Sequence, residues 1–129
     1  MHIGLVYDLR DDYLAEGFGE EAVAEFDFAE TVAALADAVA ALGHTPERIG
    51  HGRALAARLA AGDRWDLVYN VAEGVAGRAR EAQVPGLLEL YDIPYTGSDP
   101  LTCAATLDKA VAKRLVRDAG VATPAFAVV

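Results

Sequence analysis

Short apolar runs alternate with amphipathic stretches along the first half of the chain. Continuous apolar runs at 2–7 and 67–71 predict strands buried on both faces, and residues 45–49 give a weaker strand signal between them. Apolar residues spaced three and four apart predict helices over 28–42 and 52–61, in the two intervals between these strands. Strand, helix, strand, helix, strand is the order of a parallel sheet with helices on both faces, so the pattern predicts an α/β fold.

The first helix is outlined by its apolar stripe and by signals at its two ends. Asp27 and Glu30 have the spacing of a capping box, and Gly43 is a natural C-terminal stop. The residues of this helix that we expect to face the core are Phe28, Val32, Leu35, Val39 and Leu42. The shorter second helix is expected to bury Leu55 and Leu59, to turn Arg53 and Arg58 outward, and to end at Gly62.

The second half of the chain predicts two more helices around a short strand. Residues 81–90 form a helix with Pro85 in its first turn, and residues 92–96 form a fourth strand. Asp108 opens a last helix, which Gly120 ends. The residues that we expect this helix to turn inward are Leu107, Val111 and Leu115.

An apolar run at 123–129 predicts one further strand. An exposed apolar strand edge invites association, so we expect that a second domain begins here and that the polypeptide is a fragment of a longer one. We therefore divide the chain into an N-terminal domain built on the parallel sheet, residues 1–100, and the first helices and strand of a second domain, residues 101–129.

Composition narrows the class of partner. Hydrophobic residues make up 53% of the chain and charged residues 24%, as in a globular protein. The 11 basic and 20 acidic residues give a net charge of −9, which disfavours nucleic acid and anionic membranes as partners. The single Cys103 excludes an internal disulfide. We expect neither a membrane span nor a signal peptide, and hence a cytoplasmic protein.

Candidate functional positions follow the predicted strands. Ligands of parallel sheets bind beyond the carboxyl ends of the strands. This rule brings the polar stretch 8–25, the pair Glu73 and Gly74, and residues 96–98 to one rim. The stretch 8–25 is rich in acidic residues, and its length and position suit a ligand loop and a solvated loop equally well.

Three motifs occur in order between residues 81 and 109. They are Gly86-Leu87-Leu88-Glu89, Ile93-Pro94-Tyr95-Thr96-Gly97-Ser98 and Leu107-Asp108-Lys109. In this order and at these separations, the motifs resemble the N-terminal part of D-alanine–D-alanine ligases, members of the ATP-grasp superfamily. The resemblance is good over residues 66–129, and over residues 1–65 the order of strand, loop and helix agrees.

The resemblance implies that the chain is the Rossmann-like substrate domain, or pre-ATP-grasp domain, of an ATP-dependent carboxylate–amine ligase. Such an enzyme uses ATP and Mg²⁺ to phosphorylate a carboxylate, and an amine then attacks the acyl phosphate. The resemblance also implies that Lys109 approaches the nucleotide phosphates and that the enzyme is a homodimer. The catalytic domain would lie outside this chain, so we expect the chain alone to be inactive and to require no cofactor.

The loop after the third strand would help to shape the pocket for a small-molecule substrate, an amino acid or carboxylate. Family members carry H-G-x-x-G-E-D-G here, whereas this chain has Glu73 in place of the histidine and introduces Arg78 and Arg80. An arginine suits a substrate carboxylate and a glutamate suits an ammonium group, so Glu73, Gly74 and Arg80 are the candidate substrate-binding residues. Pairing of these loop charges with one another is the equally weighted alternative.

Two other classes of protein fit parts of the pattern. A stand-alone module that binds a small ligand or dimerises without catalysis would need only the sheet domain. A receiver domain shares the acidity and the double winding, and Asp11 and Asp12 follow the first strand. Its third strand must end on a phosphorylatable aspartate, where this chain has Asn70, so the receiver is the least favoured class. No metal site is predicted, because the histidines lack metal-ligand spacing.

Overall fold

The computed structural model describes residues 1–128 and shows a three-stranded parallel sheet. Its strands are β1 (His2–Val6), β2 (Thr45–Gly50) and β3 (Leu67–Asn70), in the spatial order β2-β1-β3. Leu5 of β1 is registered with Arg48 on β2 and with Tyr69 on β3. The predicted α/β class and the predicted parallel pairing are confirmed.

Helices connect the strands and cover both faces of the sheet. They are α1 (Arg10–Ala15), α2 (Ala29–Ala41), α3 (Gly52–Ala61), α4 (Gln83–Leu90), α5 (Pro100–Leu107) and α6 (Lys109–Asp118), with a 3₁₀ turn (Arg80–Ala82) before α4. Gly43 and Gly62 follow α2 and α3 with φ of 81° and 101°, which confirms both predicted helix stops. Asp99 and Asp108 accept backbone N–H hydrogen bonds at the starts of α5 and α6. Within residues 1–128, every helix falls short of the length and apolar character that a membrane span requires.

The core lies on both sides of the sheet because successive residues of β1 point to opposite faces. Ile3 and Leu5 pack towards α2, where Val32 is 2% exposed. A side chain added at Gly4 would meet Ile49 at 2.5 Å, so the packing on the opposite face requires a glycine there. The buried residues on that face, including both leucines predicted for α3, are Val6, Ile49, Leu55, Leu59, Trp65, Val68, Ala72, Val84, Leu88 and Ile93.

The apolar stripe of α2 is shorter than predicted. Val32 is buried, and Leu35 and Val39 are half-buried. Phe28 and Leu42 are 56% and 75% exposed, so the prediction was wrong at both ends of the helix. Both residues lie just outside the helical span, where the helical spacing no longer directs a side chain towards the sheet.

The predicted capping box at the start of α2 is also wrong. The N-cap residue is Phe28, and no side chain among the described residues caps the helix. Asp27 instead pairs with the segment after β1: its N–H donates to the carbonyl of Asp8 at 2.9 Å, and its carbonyl accepts from the N–H of Arg10 at 3.0 Å. This bridge holds Asp27 one residue before the cap position.

The predicted fourth strand is reduced to a single bridge between Tyr95 and Val68 of β3. The N–H of Val68 donates to the carbonyl of Pro94 at 2.8 Å, and the N–H of Thr96 donates to the carbonyl of Val68 at 3.0 Å. The pairing does not continue to the residues before Tyr95, because Pro94 has no N–H that could donate to β3. The pairing does not continue to the residues after Tyr95, because the N–H of Asn70 donates to the side-chain oxygen Oγ1 of Thr96 at 3.1 Å instead of to a backbone carbonyl.

The apolar side of α6 is not buried, contrary to the prediction. Leu107 and Val111 are half-buried, and Leu115 is 55% exposed. α6 packs on α5, and α5 packs on α4 and on the 3₁₀ turn. Both helices therefore lie outside the two-sided core around the sheet, and neither has a buried residue.

Residues 123–128 form neither helix nor strand, so the predicted strand at 123–129 is wrong over its described part. Val129 lies outside the described residues. Lys113 Nζ donates to the carbonyl of Pro124 at 3.2 Å and lies 5.1 Å from the centre of the Phe126 ring. The segment therefore lies against α6, away from any strand that would pair with it. The division of the chain at residues 100 and 101 stays a prediction.

Candidate ligand-binding site

A cavity of about 380 Å³ opens at the carboxyl ends of β1 and β3. Its wall comes from Asp8 after β1, from the loop that begins at Gly74 after β3, and from the first turn of α3. Its volume falls in the usual range for small-molecule sites. The position agrees with the expectation that ligands of this kind of sheet bind at the rim of the strands.

Asp8 ties the loop after β3 to the segment after β1. Its side chain is 2% exposed, and its Oδ1 accepts a hydrogen bond from the Tyr13 hydroxyl at 2.7 Å. Its Oδ2 accepts from the Gly74 N–H at 2.8 Å. Burial, together with the hydrogen bond to Asp8, raises the pKa of Tyr13 well above its ordinary value, so its hydroxyl remains a donor over the whole physiological range.

The polar stretch after β1 is folded, which the sequence analysis did not predict. It contains α1 and a small apolar cluster in which Tyr13, Val23 and Phe26 are buried. The Tyr13 and Phe26 rings lie 4.8 Å apart between centroids. The stretch is therefore packed beside the cavity through these apolar residues, while its acidic side chains other than Asp8 are exposed, and its role towards a ligand stays a prediction.

Gly74 contributes backbone to this site. Its φ is 71°, and a Cβ at this position would lie 2.8 Å from the carbonyl oxygen of Arg80. The loop between these two residues is therefore closed tightly on itself, and no side chain fits at its base. Gly74 lines the cavity, and its N–H is already bonded to Asp8.

Arg80 lines the same cavity and pairs with an acidic residue. Its Nη2 lies 2.8 Å from Glu25 Oε2 and 4.0 Å from Glu81 Oε1. The sequence analysis left two alternatives open for the loop charges: pairing with one another, or binding a ligand at the rim. Arg80 both forms an ion pair and lines the cavity. Its role towards a substrate stays a prediction.

Glu73 adjoins Gly74 but does not line the cavity. It is half-buried, and burial raises the pKa of its carboxyl above the ordinary value of 4.5. The neighbouring carboxylates of Glu81 and Glu25 raise this pKa further, and Arg80 opposes them. The structure therefore places Glu73 beside the cavity wall and in an acidic environment.

Arg53 also lines the cavity, and the sequence analysis treated it only as an outward-facing helix residue. It lies in the first turn of α3, which begins two residues after β2 ends. Its side chain makes no hydrogen bond or ion pair with any of residues 1–128. The rule that assigned ligands to the carboxyl ends of strands applies to β2 as well, and it would have identified Arg53.

Lys109 is the first residue of α6 and does not line the cavity. It is exposed and makes no hydrogen bond or ion pair within the described part of the chain. The preceding Asp108 caps the helix by accepting from the N–H groups of Ala110 at 3.0 Å and Val111 at 2.9 Å. These hydrogen bonds and the ion pair with Arg78 hold the pKa of the Asp108 carboxyl below its usual range.

Among residues 1–128, no three or more His, Cys, Asp or Glu side chains are grouped as metal ligands. Residues 1–128 therefore provide no preformed cluster of metal ligands.

Comparison with known proteins identifies the family. The D-alanine–D-alanine ligase of Moorella thermoacetica is 41% identical over 93 residues, which cover 72% of this chain and 29% of that protein. The D-alanine–D-alanine ligase of Sinorhizobium fredii is 42% identical over 89 residues, covering 69% of this chain and 28% of that protein. The chain belongs to the D-alanine–D-alanine ligase family and matches its N-terminal region. No protein-family model matches the chain.

The structural comparison agrees with this family. The crystal structure of the D-alanine–D-alanine ligase from Bacillus anthracis matches with a TM-score of 0.61 at 24% identity, covering 97% of this chain and 37% of that chain. At this level of identity the match shows the fold. An uncharacterized protein of Sinorhizobium fredii, y4sG, is 48% identical over 62 residues, covering 48% of this chain and 18% of that protein. The chain thus spans less than a third of the length of these curated relatives.

Proposed function

We propose that this chain is the substrate domain of an ATP-dependent carboxylate–amine ligase whose cavity holds an amino acid or another small carboxylate. The cavity at the carboxyl ends of β1 and β3 is the observation that carries the proposal. Two arginines, Arg53 and Arg80, face it, and a guanidinium group is the side chain best shaped to hold a carboxylate.

The loop after β3 supplies the substrate contacts in this proposal. Gly74 and Arg80 border the cavity, and Glu73 adds charge beside them. Asp8 positions the loop by accepting the Gly74 N–H. The substrate domain therefore binds and orients the carboxylate, and its tight loop excludes water from one side of it.

The proposal assigns nucleotide chemistry largely to residues outside this chain. ATP and Mg²⁺ would act in the parent enzyme, where ATP activates the carboxylate as an acyl phosphate. From this chain, Lys109 would contribute a cation towards the nucleotide phosphates, since it is exposed and without an ion-pair partner among residues 1–128. The proposal includes that the parent is a homodimer and that residues 1–129 alone do not turn over ATP.

The decisive experiment is an ATP-dependent ligation assay on the protein encoded by the complete reading frame. We expect ligation by that protein and none by residues 1–129 alone. Lys109→Ala should lower kcat/KM for ATP at least tenfold while the circular dichroism spectrum stays unchanged. Arg117→Ala removes a positive charge from the exposed side of the same helix and is the matched control. Equal ATP use by the wild-type protein and Lys109→Ala would remove Lys109 from the site.

A second candidate function is a non-catalytic module that binds a small ligand or dimerises. The cavity favours it, because its wall consists entirely of residues between Asp8 and Leu87 and needs no second domain. Reading the coding sequence past codon 129 separates the two functions. A continuing frame with an ATP-binding domain supports the ligase, and a stop codon there supports the module.

A further inference from the structure

We infer that Arg78 is a positioning residue for nucleotide binding. Its ion pair with Asp108 joins the loop after β3 to the start of α6 and thereby fixes the place of Lys109. This inference rests on the proposed function, since it takes Lys109 as the cation that meets the nucleotide phosphates. It adds a residue of the substrate loop that acts on the nucleotide through this lysine.

The two carboxylate oxygens of Asp108 have different partners. Oδ1 accepts from the N–H groups of Ala110 at 3.0 Å and Val111 at 2.9 Å, which caps α6. Oδ2 accepts from Nε of Arg78 at 2.9 Å and from Nη2 of the same guanidinium. The Asp108 side chain is 16% exposed, so solvent covers little of it. One carboxylate therefore connects the guanidinium of the loop to the backbone of the first turn of α6.

The start of α6 has few other ties to the rest of the molecule. Neither α5 nor α6 buries a residue, and the two helices meet at Asp108, whose backbone is extended. Within residues 1–128, the hydrogen bonds and ion pairs that join residues 108–118 to residues 1–99 are those between Arg78 and Asp108. An exposed ion pair contributes little to the stability of a packed core. Here it acts on a helix that no core holds, so its loss changes the direction of α6 more than the stability of the sheet.

The loop that carries Arg78 is anchored on both sides of this residue. Before it, the N–H of Gly74 donates to the buried carboxylate of Asp8 at 2.8 Å. After it, the guanidinium of Arg80 lies 2.8 Å from the carboxylate of Glu25. The same loop lines the cavity at the carboxyl ends of β1 and β3. The ion pair therefore ties α6 to a fixed part of the cavity wall.

Lys109 depends on this tie for its direction. It follows Asp108 directly, so the first turn of α6 sets where its side chain points. It makes no hydrogen bond or ion pair within the described part of the chain that would hold it by another route. The attraction between a lysine and a phosphate falls with their separation, so a change in the direction of α6 weakens nucleotide binding.

The test measures the affinity of the protein encoded by the complete reading frame for AMP-PNP with Mg²⁺, by isothermal titration calorimetry. AMP-PNP is an ATP analogue that is not hydrolysed. We expect Arg78→Gln to weaken its binding about three- to fivefold. Arg78→Lys should restore part of the affinity, because it keeps the charge and loses the guanidinium geometry. Arg117→Gln removes an arginine from the exposed end of α6 and should leave the affinity unchanged.

A double-variant cycle shows whether Arg78 acts through Lys109. Lys109→Ala alone should weaken the binding of AMP-PNP about tenfold. Adding Arg78→Gln to Lys109→Ala should weaken it by no more than about 1.5-fold further, because the side chain that Arg78 positions is gone. If Arg78 attracted the phosphates by its own charge, the two losses would multiply. The Arg78 side chain is 84% exposed, so its replacement should leave the circular dichroism spectrum unchanged.

The inference and the proposed function fail in distinguishable ways. If Lys109→Ala weakens binding and Arg78→Gln does not, or if their losses multiply, the inference fails while the nucleotide role of Lys109 stands. An equal loss for Arg117→Gln would show a general effect of charge and would overturn the inference as well. If Lys109→Ala binds AMP-PNP normally, or if the wild-type protein does not bind it, the proposed nucleotide role fails and the inference fails with it.

Discussion

Residues 2–93 and residues 100–128 use their apolar side chains in different ways. Every buried hydrophobic residue of the described chain lies between Ile3 and Ile93, and neither α5 nor α6 buries a residue. Leu101, Leu115 and Val116 are 79%, 55% and 40% exposed. The first region therefore has a core of its own, and the second lies on its surface.

A comparison of α3 with α6 gives the reason for this difference. Each has ten residues, and the apolar side carries Leu55 and Leu59 in α3 and Val111 and Leu115 in α6. Leu55 and Leu59 of α3 are 0% and 1% exposed because the sheet and α4 lie opposite them. Leu115 on α6 has no such layer. An amphipathic pattern thus predicts which side of a helix will be covered once a neighbour is present, and it does not reveal whether that neighbour exists.

The largest expected contrast is between two leucine truncations. Leu55→Ala should lower the free energy of unfolding by about 2–5 kcal/mol, because it leaves a cavity in the core. Leu115→Ala should change it by no more than about 0.5 kcal/mol. Urea unfolding followed by the fluorescence of Trp65, the single tryptophan, measures both values. Equal losses would show that α6 shares the core.

Two aspartates that accept hydrogen bonds from backbone N–H groups give the next contrast. Asp8→Ala should cost about 3 kcal/mol, because the buried Tyr13 hydroxyl and the Gly74 N–H both lose their acceptor. Asp108→Ala removes the cap of an exposed helix, and its effect should remain within α6. Urea unfolding gives the global loss, and amide exchange of α6 gives the local one. If Asp108→Ala lowered the free energy of unfolding as much as Asp8→Ala, residues 100–128 would share the core of residues 2–93, contrary to the comparison.

Two glycines with similar backbone angles sharpen the comparison further. Gly74 and Gly120 have φ of 71° and 79°, so alanine at either position is strained. At Gly74 the added Cβ would also meet the Arg80 carbonyl oxygen at 2.8 Å, whereas nothing lies within 4 Å at Gly120. We expect Gly74→Ala to lose about 2 kcal/mol of stability and Gly120→Ala about half of that. Thermal unfolding ranks the two variants, and the reverse order would rule out the tight loop.

The smallest expected contrast is in how carboxyl groups of the two regions titrate at acidic pH. Burial raises the pKa of Asp27 above 3.8 and that of Glu73 above 4.5. Hydrogen bonds from backbone N–H groups at the helix starts lower the pKa of Asp99 and Asp108 below 3.8. Titration of the carboxyl carbon signals by NMR checks these directions.

The two pairs therefore respond oppositely to pH. Asp27 and Glu73, whose pKa is raised by folding, contribute stability that is present below their ordinary pKa. This stability is lost as the pH rises through the raised pKa of the folded state. Asp99 and Asp108, whose pKa is lowered by folding, contribute stability that is present above pH 3.8. This stability is lost as the pH falls through the lowered pKa of the folded state. Amide exchange in the first turns of α5 and α6 should accordingly speed up below pH 3.8. Midpoints of Glu73 and Asp27 below those of Asp99 and Asp108 would contradict this.

Local patterns predicted most of the sheet and the helices of the first region. The apolar runs located β1 and β3, and Gly43 and Gly62 marked the two helix stops. The predictions failed where a distant segment competes for a residue. Asp27 pairs with the segment after β1 instead of capping α2, and the Thr96 hydroxyl oxygen accepts from the N–H of Asn70, which ends the strand pairing there.

The sequence predicted the edge of the sheet at which the cavity lies, but it did not predict all of the residues that line the cavity. The strand-end rule brought Asp8, Glu73 and Gly74 to one rim, and the motif order indicated the ligase family before any comparison. Arg53 was missed because its sequence neighbourhood looks like an ordinary exposed helix face. Only the folded chain shows that its side chain has no hydrogen-bond or ion-pair partner among residues 1–128, while Arg80 is paired with Glu25.

By itself, the sequence determined the α/β class, the order β1-α2-β2-α3-β3 and the family, because strand and helix periods and motif spacing are properties of neighbouring residues. The tertiary structure decided which apolar sides are buried and which charges face the cavity. The contacts responsible join residues far apart in the chain: Asp8 and Gly74 are 66 positions apart, and Glu25 and Arg80 are 55 apart. Such contacts form only when the whole domain packs, and no local pattern encodes them.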